Sequence, residues 1–168
     1  MNRLLRMLVA LAVPAIVAAA VSLPTYAART SRSSAPTCTS AALARTTSTN
    51  QASYARATPV KISTSLVNVS RRPCAVDIRA CVSATVANAQ GKFVWSAVPF
   101  NALCAEYIVR QTLAPGQAVT RSWTWDQHVC LYAGRCPGPQ VPAGRYTAQG
   151  HWGGPGGDAR PTSFTITG

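Results

Sequence analysis

Apolar and polar side chains alternate between residues 60 and 66. Val60, Ile62, Thr64 and Leu66 fall on one side, and Lys61, Ser63 and Ser65 fall on the other. A period of two puts every second side chain on one face of a sheet, so this segment predicts a half-buried β-strand. Asn68 to Pro73 then reads as a turn. Val82 to Ala87 and Lys92 to Ser96 flank Asn88-Ala89-Gln90-Gly91 and predict a hairpin. Tyr107 to Leu113 and Gln117 to Trp125 flank Ala114-Pro115-Gly116 and predict a second one, because Pro presets φ and Gly accepts a positive φ. In its second arm Val119, Arg121, Trp123 and Trp125 share a side. Val141-Pro142-Ala143-Gly144 turns into a strand at Arg145 to Trp152, with Tyr146, Ala148 and Trp152 on one face. Gly153 to Asp158 is a glycine-rich loop, and Ser163 to Thr167 is a last strand with Phe164 and Ile166 inward.

No stretch carries a convincing helical period; Ala41 to Arg45 has room for one turn. Seven or eight short strands separated by turn residues predict an all-β fold, an antiparallel immunoglobulin-like β-sandwich. The four Trp fall on apolar sides of strand arms and are expected in or near its core.

The N-terminus changes the picture of where this sandwich works. Arg3 and Arg6 precede an apolar run from Met7 to Leu23, and Pro24-Thr25-Tyr26-Ala27 supplies small residues for a cut. That order is a cleavable export signal over residues 1–27. The run is short for a bilayer span and contains Pro14, so no stable membrane insertion is expected after cleavage. Residues 28–37 read as a disordered lead-in, and residues 38–168 as a single domain.

Six cysteines follow the signal: Cys38, Cys74, Cys81, Cys104, Cys130 and Cys136. In a secreted chain they are read as disulfides. Fifteen pairings are open. Hairpin geometry brings Cys81 and Cys104 to the loop that holds Cys130 and Cys136, which they are expected to share, and Cys38 is expected to join Cys74 and tie down the N-terminal segment. His128, Cys130 and Cys136 lack the spacing of a zinc ribbon or finger, so no metal and no cofactor is expected.

The chain after residue 27 keeps fourteen of the sixteen basic residues and all four acidic ones, a formal charge of +10. Twelve of those fourteen are Arg, scattered singly apart from Arg71-Arg72. Such a charge attracts anionic partners. Without a basic run or a recognition motif, nucleic acid is not among those expected.

The order of the turns brings a family to bear. Asn68-Val69-Ser70-Arg71-Arg72-Pro73-Cys74, then Gly91-Lys92-Phe93-Val94-Trp95-Ser96, Leu113-Ala114-Pro115-Gly116, Trp123-Thr124-Trp125-Asp126-Gln127 and Val141-Pro142-Ala143-Gly144-Arg145-Tyr146 follow one another. This succession resembles the BsuPI-type intracellular proteinase inhibitor domain, and especially its secreted, cysteine-bearing actinobacterial relatives. The resemblance covers roughly residues 58–167 and implies an immunoglobulin-like sandwich that inhibits a protease. This chain departs from the named intracellular member in its export signal and six cysteines. No inhibitory residue carries over to a position here.

Catalytic chemistry has little to start from. Asp77, Glu106, Asp126 and Asp158 form no paired-carboxylate motif. Asp126 and His128 can share a strand face after Ser122, but there is no nucleophile elbow, and an Asp closing a turn is the simpler reading. The glycine-rich loop lacks the Lys of a P-loop, and Asn68-Val69-Ser70 is formally a glycosylation sequon. No enzyme activity and no catalytic residue is expected.

What remains is binding through loops on a rigid scaffold. Ala97 to Leu103, with Phe100, and His128 to Pro142, with Leu131, Tyr132 and Arg135, are expected at one end of the sandwich. Apolar and Arg side chains on a clamped loop suit insertion into a partner's pocket, such as a serine protease specificity pocket. The partners expected are a protease or another extracellular protein. The alternatives are a cell-envelope module binding acidic cell-wall glycopolymer, or a structural or adhesive surface protein. The location expected is secreted or extracytoplasmic.

Overall fold

A computed structural model describes residues 35–79, 81–100, 102–103, 107–152 and 157–168. The export signal, most of the lead-in, Cys104, Glu106 and most of the glycine-rich loop lie outside the described residues.

The described residues are all-β. They form ten strands: β1 (Leu43–Thr49), β2 (Ser53–Ala55), β3 (Val60–Asn68), β4 (Cys74–Arg79), β5 (Ser83–Asn88), β6 (Phe93–Ser96), β7 (Ile108–Leu113), β8 (Ala118–Trp125), β9 (Gly144–His151) and β10 (Thr162–Thr167). One sheet has the order β1-β3-β8 and the other β2-β10-β9-β5-β6, with β4 and β7 paired in a short third sheet. Every pairing is antiparallel except that of β2 with β10. The two larger sheets face each other through β1, β3, β9 and β10. The architecture is therefore the antiparallel sandwich that the alternation predicts, with β1, β2 and β4 added.

β3 follows its pattern: Val60, Ile62, Thr64 and Leu66 are all buried. Trp95, Trp125 and Trp152 are buried as well, while Trp123 is half-buried and packs against both parts of the core. One part gathers Tyr54, Trp125, Tyr146 and Phe164, whose rings meet at centroid distances of 5.7–6.2 Å. The other gathers Leu43, Leu66, Val76, Ile78, Leu113 and Trp152. Each large side chain taken out of water in this way contributes about 1.5–3 kcal/mol.

Polar atoms between the two larger sheets find partners on the facing sheet or within it. The Trp152 indole donates to Thr64 Oγ1 at 2.9 Å, and the Gly150 amide donates to Thr47 Oγ1 at 2.9 Å. Gly150 is glycine because a Cβ there would run into the Thr64 side chain of the facing sheet. The Tyr146 hydroxyl donates to the Pro142 carbonyl at 2.6 Å, four residues back at the entry to β9. That is the tyrosine corner found in immunoglobulin-like sandwiches. Burial pushes the Tyr146 phenol above its ordinary pKa.

The hairpin at Asn88–Gly91 forms as expected, with β5 and β6 paired across it. The second predicted hairpin does not. Gly116 takes a positive φ of 75° and the Gln117 amide reaches Ala114 O at 3.0 Å, so the turn is present. Yet β7 leaves it to pair with β4, and β8 leaves it to pair with β3. Asn68, fully buried at the end of β3, sits in the fork. Its Nδ2 donates to Leu113 O and to Arg72 O, each at 2.9 Å, and its backbone bonds to Gly116 and Gln117.

The fork also corrects the sulfur pairing. Cys38 and Cys74 are bonded, as expected, with S–S 2.08 Å. Cys130 and Cys136 are bonded to each other, with S–S 1.99 Å, and do not receive Cys81 and Cys104. The expectation assumed that Cys104 lies across a β7–β8 hairpin from Cys130, and that ladder does not exist. Cys81 is also disulfide-bonded.

Candidate functional site

The two loops singled out in the sequence meet. Cys130 runs alongside β6: its amide donates to Val94 O at 2.9 Å, and its carbonyl accepts from the Ser96 amide at 2.9 Å. The next carbonyl, of Leu131, accepts from the Phe100 amide at 2.8 Å and ties the loop of residues 97–103 to the loop of residues 128–142. The second loop is folded back on itself. Val129 donates to Pro139 O, Gly138 donates to Val129 O at 2.7 Å, and the Cys130–Cys136 bridge closes the tip. Gly138 lies so close to Val129 that a Cβ would meet the Val129 carbonyl oxygen at 2.8 Å.

This framework sets three aromatic rings on one surface. Phe100 packs edge-on against Tyr132 with centroids 5.9 Å apart, and edge-on against Phe93 at 6.0 Å. The three remain 51%, 45% and 46% exposed respectively, so they pack on one another without sinking into the core. Leu131 is half-buried beside them, and Arg135 is exposed at the tip, its amide donating to Tyr132 O at 3.1 Å. The structure thus brings together Phe100, Leu131 and Tyr132, with Arg135 in the same clamped turn. The sequence reading missed Phe93, which begins a strand and looked like one more sheet residue.

Behind Phe93 and Phe100 lies an open crevice of about 390 Å³, lined also by Ser83, Thr85, Val98, Pro99 and His151. Its floor holds a hydrogen-bonded chain that the sequence did not announce. Thr85 Oγ1 lies 2.9 Å from His151 Nε2, and His151 Nδ1 lies 2.8 Å from Asp158 Oδ1. Thr85 is far from the other two in sequence, and the pairing of β5 with β9 unites it with His151, which the His151–Asp158 bridge joins to Asp158 seven residues on.

Hydroxyl, imidazole and carboxylate in this order are the parts of a nucleophile relay. Two features weigh against that use. Thr85 is 5% exposed, and β5 is laddered on both sides, so its backbone amides are committed to the sheet and cannot meet an oxyanion. Asp126 and His128 close a turn: Asp126 Oδ1 accepts from the His128 amide at 3.1 Å. Ser122 is bonded to Ser63 at 2.8 Å on the outer sheet face instead. Between Asp126 and His128, Gln127 has φ 64° and a fully buried side chain. Its amide donates to Ala55 O and Thr58 O at 3.0 and 2.6 Å and accepts from the Ala57 amide at 2.9 Å.

Neither loop carries an acidic residue across 91–103 or 127–142, while Lys92 precedes Phe93 and Arg135 follows Tyr132. Among the described residues no cluster of three or more His, Cys, Asp or Glu is arranged to hold a metal ion. None of the described helices is long and apolar enough to cross a membrane.

Fold and surface together define an all-β, disulfide-bonded sandwich with a clamped aromatic end. No family model matches this chain, and no curated protein is similar to it. Solved structures are similar at low identity. A β-glucosidase from Erythrobacter marinus is 13% identical, with a TM-score of 0.41, over 74% of this chain and 15% of that one. A β-glucosidase from Listeria innocua is 11% identical, with a TM-score of 0.43, over 75% of this chain and 16% of that one. An alkylpurine DNA glycosylase from Pseudomonas fluorescens, bound to DNA containing an abasic site analog, is 10% identical, with a TM-score of 0.41, over 76% and 31%. The chain spans less than a third of the length of each, and likeness at this level carries no functional argument.

Proposed function

We propose that this chain is an exported, non-enzymatic binding domain that docks a protein partner through the clamped aromatic end. The observation that carries the reading is the exposed trio Phe93, Phe100 and Tyr132, held on two loops that are bonded to each other and closed by Cys130–Cys136. Aromatic side chains left half-exposed on a surface are the usual anchors of a protein interface. A loop ordered in advance loses less entropy when it docks. The disulfides match an oxidising compartment, and so support the export reading of residues 1–27.

The resemblance to BsuPI-type inhibitors makes a secreted serine protease the first partner to test. The clamped loop would present Leu131, Tyr132 or Arg135 to its specificity pocket. The test is inhibition of a subtilisin-like and a trypsin-like protease by the oxidised chain, by Phe100→Ala/Tyr132→Ala and by Arg135→Ala. Inhibition by the parent that drops at least ten-fold in the aromatic double variant is expected. Inhibition unchanged in both variants removes this surface as the binding site.

A further inference from the structure

We infer that the crevice behind Phe93 and Phe100 receives one apolar side chain of the partner, presented by an acidic segment of that protein. This rests on the protein-binding reading above and specifies the chemistry of its partner.

The walls of the crevice are Phe93, Phe100, Val98, Pro99 and Ala102, all apolar. Most of its polar groups are already bonded from within. Thr85 is bonded to His151, His151 to Asp158, and Ser96 Oγ donates to Val98 O at 2.5 Å. A polar guest gains little here over the water it displaces, because these groups already hold bonds of their own. An apolar guest breaks none and gains the contact of the aromatic walls. The volume of about 390 Å³ leaves room for any single apolar side chain. Phe100 belongs both to the crevice wall and to the exposed trio, so a guest here is continuous with the surface that docks the partner.

Charge selects the setting of that side chain. Both loops lack acidic residues, Lys92 and Arg135 flank the rings in the chain, and the chain after residue 27 carries +10. Asp158 is the acid of the bonded chain; it does not line the crevice and is engaged by His151. A second copy of this chain, with the same positive charge, is disfavoured as occupant, whereas an acidic segment is steered in.

The test titrates the oxidised full chain, isotopically labelled, with a synthetic Gly-Glu-Glu-Leu-Glu-Glu-Gly peptide. Versions with Gly replacing Leu and with Lys replacing every Glu are the controls. The leucine peptide is expected to shift the resonances of Thr85, His151 and Phe93, and to bind at least ten-fold more tightly than either control. Ala102→Trp, which fills the crevice from a loop, is expected to abolish the Thr85 and His151 shifts while thermal unfolding stays unchanged. Equal binding of the leucine and glycine peptides, or no shift at Thr85 and His151, overturns the inference. Shifts confined to Phe100 and Tyr132 overturn it too, yet leave the aromatic end standing as a docking surface. The protease assay decides that broader reading separately.

Discussion

Cys38–Cys74 joins residues 36 apart in sequence, and Cys130–Cys136 joins residues six apart. The first bridge ends on a buried sulfur in β4, beside an N-terminal segment bonded to the same strand through Pro36 and Cys38. The second lies at an exposed loop tip, with Tyr132 and Arg135 inside it. Closing a long span removes more freedom from the unfolded chain than closing a short one, in proportion to the logarithm of the span. The first bridge therefore contributes the larger share of stability, and the second also fixes the shape of the surface that carries the rings.

Cutting each bridge in turn is the most direct way to break that contrast. Cys38→Ser/Cys74→Ser should lower unfolding free energy by about 4 kcal/mol, read from denaturant curves. A loss no larger than that from the short bridge would erase the distinction. Gln127→Ala sharpens it from the side of hydrogen bonding. It strands Ala55 O, Thr58 O and the Ala57 amide, and should cost about 3 kcal/mol while leaving partner binding by the survivors intact. Cys130→Ser/Cys136→Ser should cost only about 2 kcal/mol in stability, but weaken protease or peptide binding at least ten-fold in calorimetry. Phe100→Ala/Tyr132→Ala should have the smallest effect on folding, below about 1 kcal/mol, because both rings are half-exposed. Peptide mapping without reductant adds a covalent check. It should return the Cys38–Cys74 and Cys130–Cys136 crosslinks, and a Cys130 or Cys136 peptide linked to Cys81 would refute the pairing.

Strands that alternate were legible. β3 and β10 bury the residues their period announces, and the β5–β6 hairpin follows from Asn88 to Gly91. β1 was not, because Ala44-Arg45-Thr46-Thr47-Ser48-Thr49 lacks an apolar alternation; its buried Thr47 is held by the Gly150 amide. The Pro115-Gly116 turn announced a change of direction but not the partner each arm would choose. That choice is made by Asn68, nearly fifty residues upstream. The same limit hid the crevice. Period and spacing find residues that are neighbours along one strand, whereas Thr85 meets His151 only after β5 and β9 are in register. Phe100, Leu131 and Tyr132 were legible because large apolar residues stood in loops, where burial gives no reason for them.

The carboxamide at the fork has a practical corollary for anyone producing this protein. Asn68-Val69-Ser70 is an acceptor sequence for N-linked sugar, and the nitrogen that would carry the sugar is the one that donates to both Leu113 and Arg72. A eukaryotic secretory host that modifies the nascent chain would place a bulky glycan where the fold has no space for one. Bacterial export, or Ser70→Ala in a eukaryotic host, leaves that nitrogen unmodified, at the cost in the variant of one hydroxyl that braces Asn68 from outside.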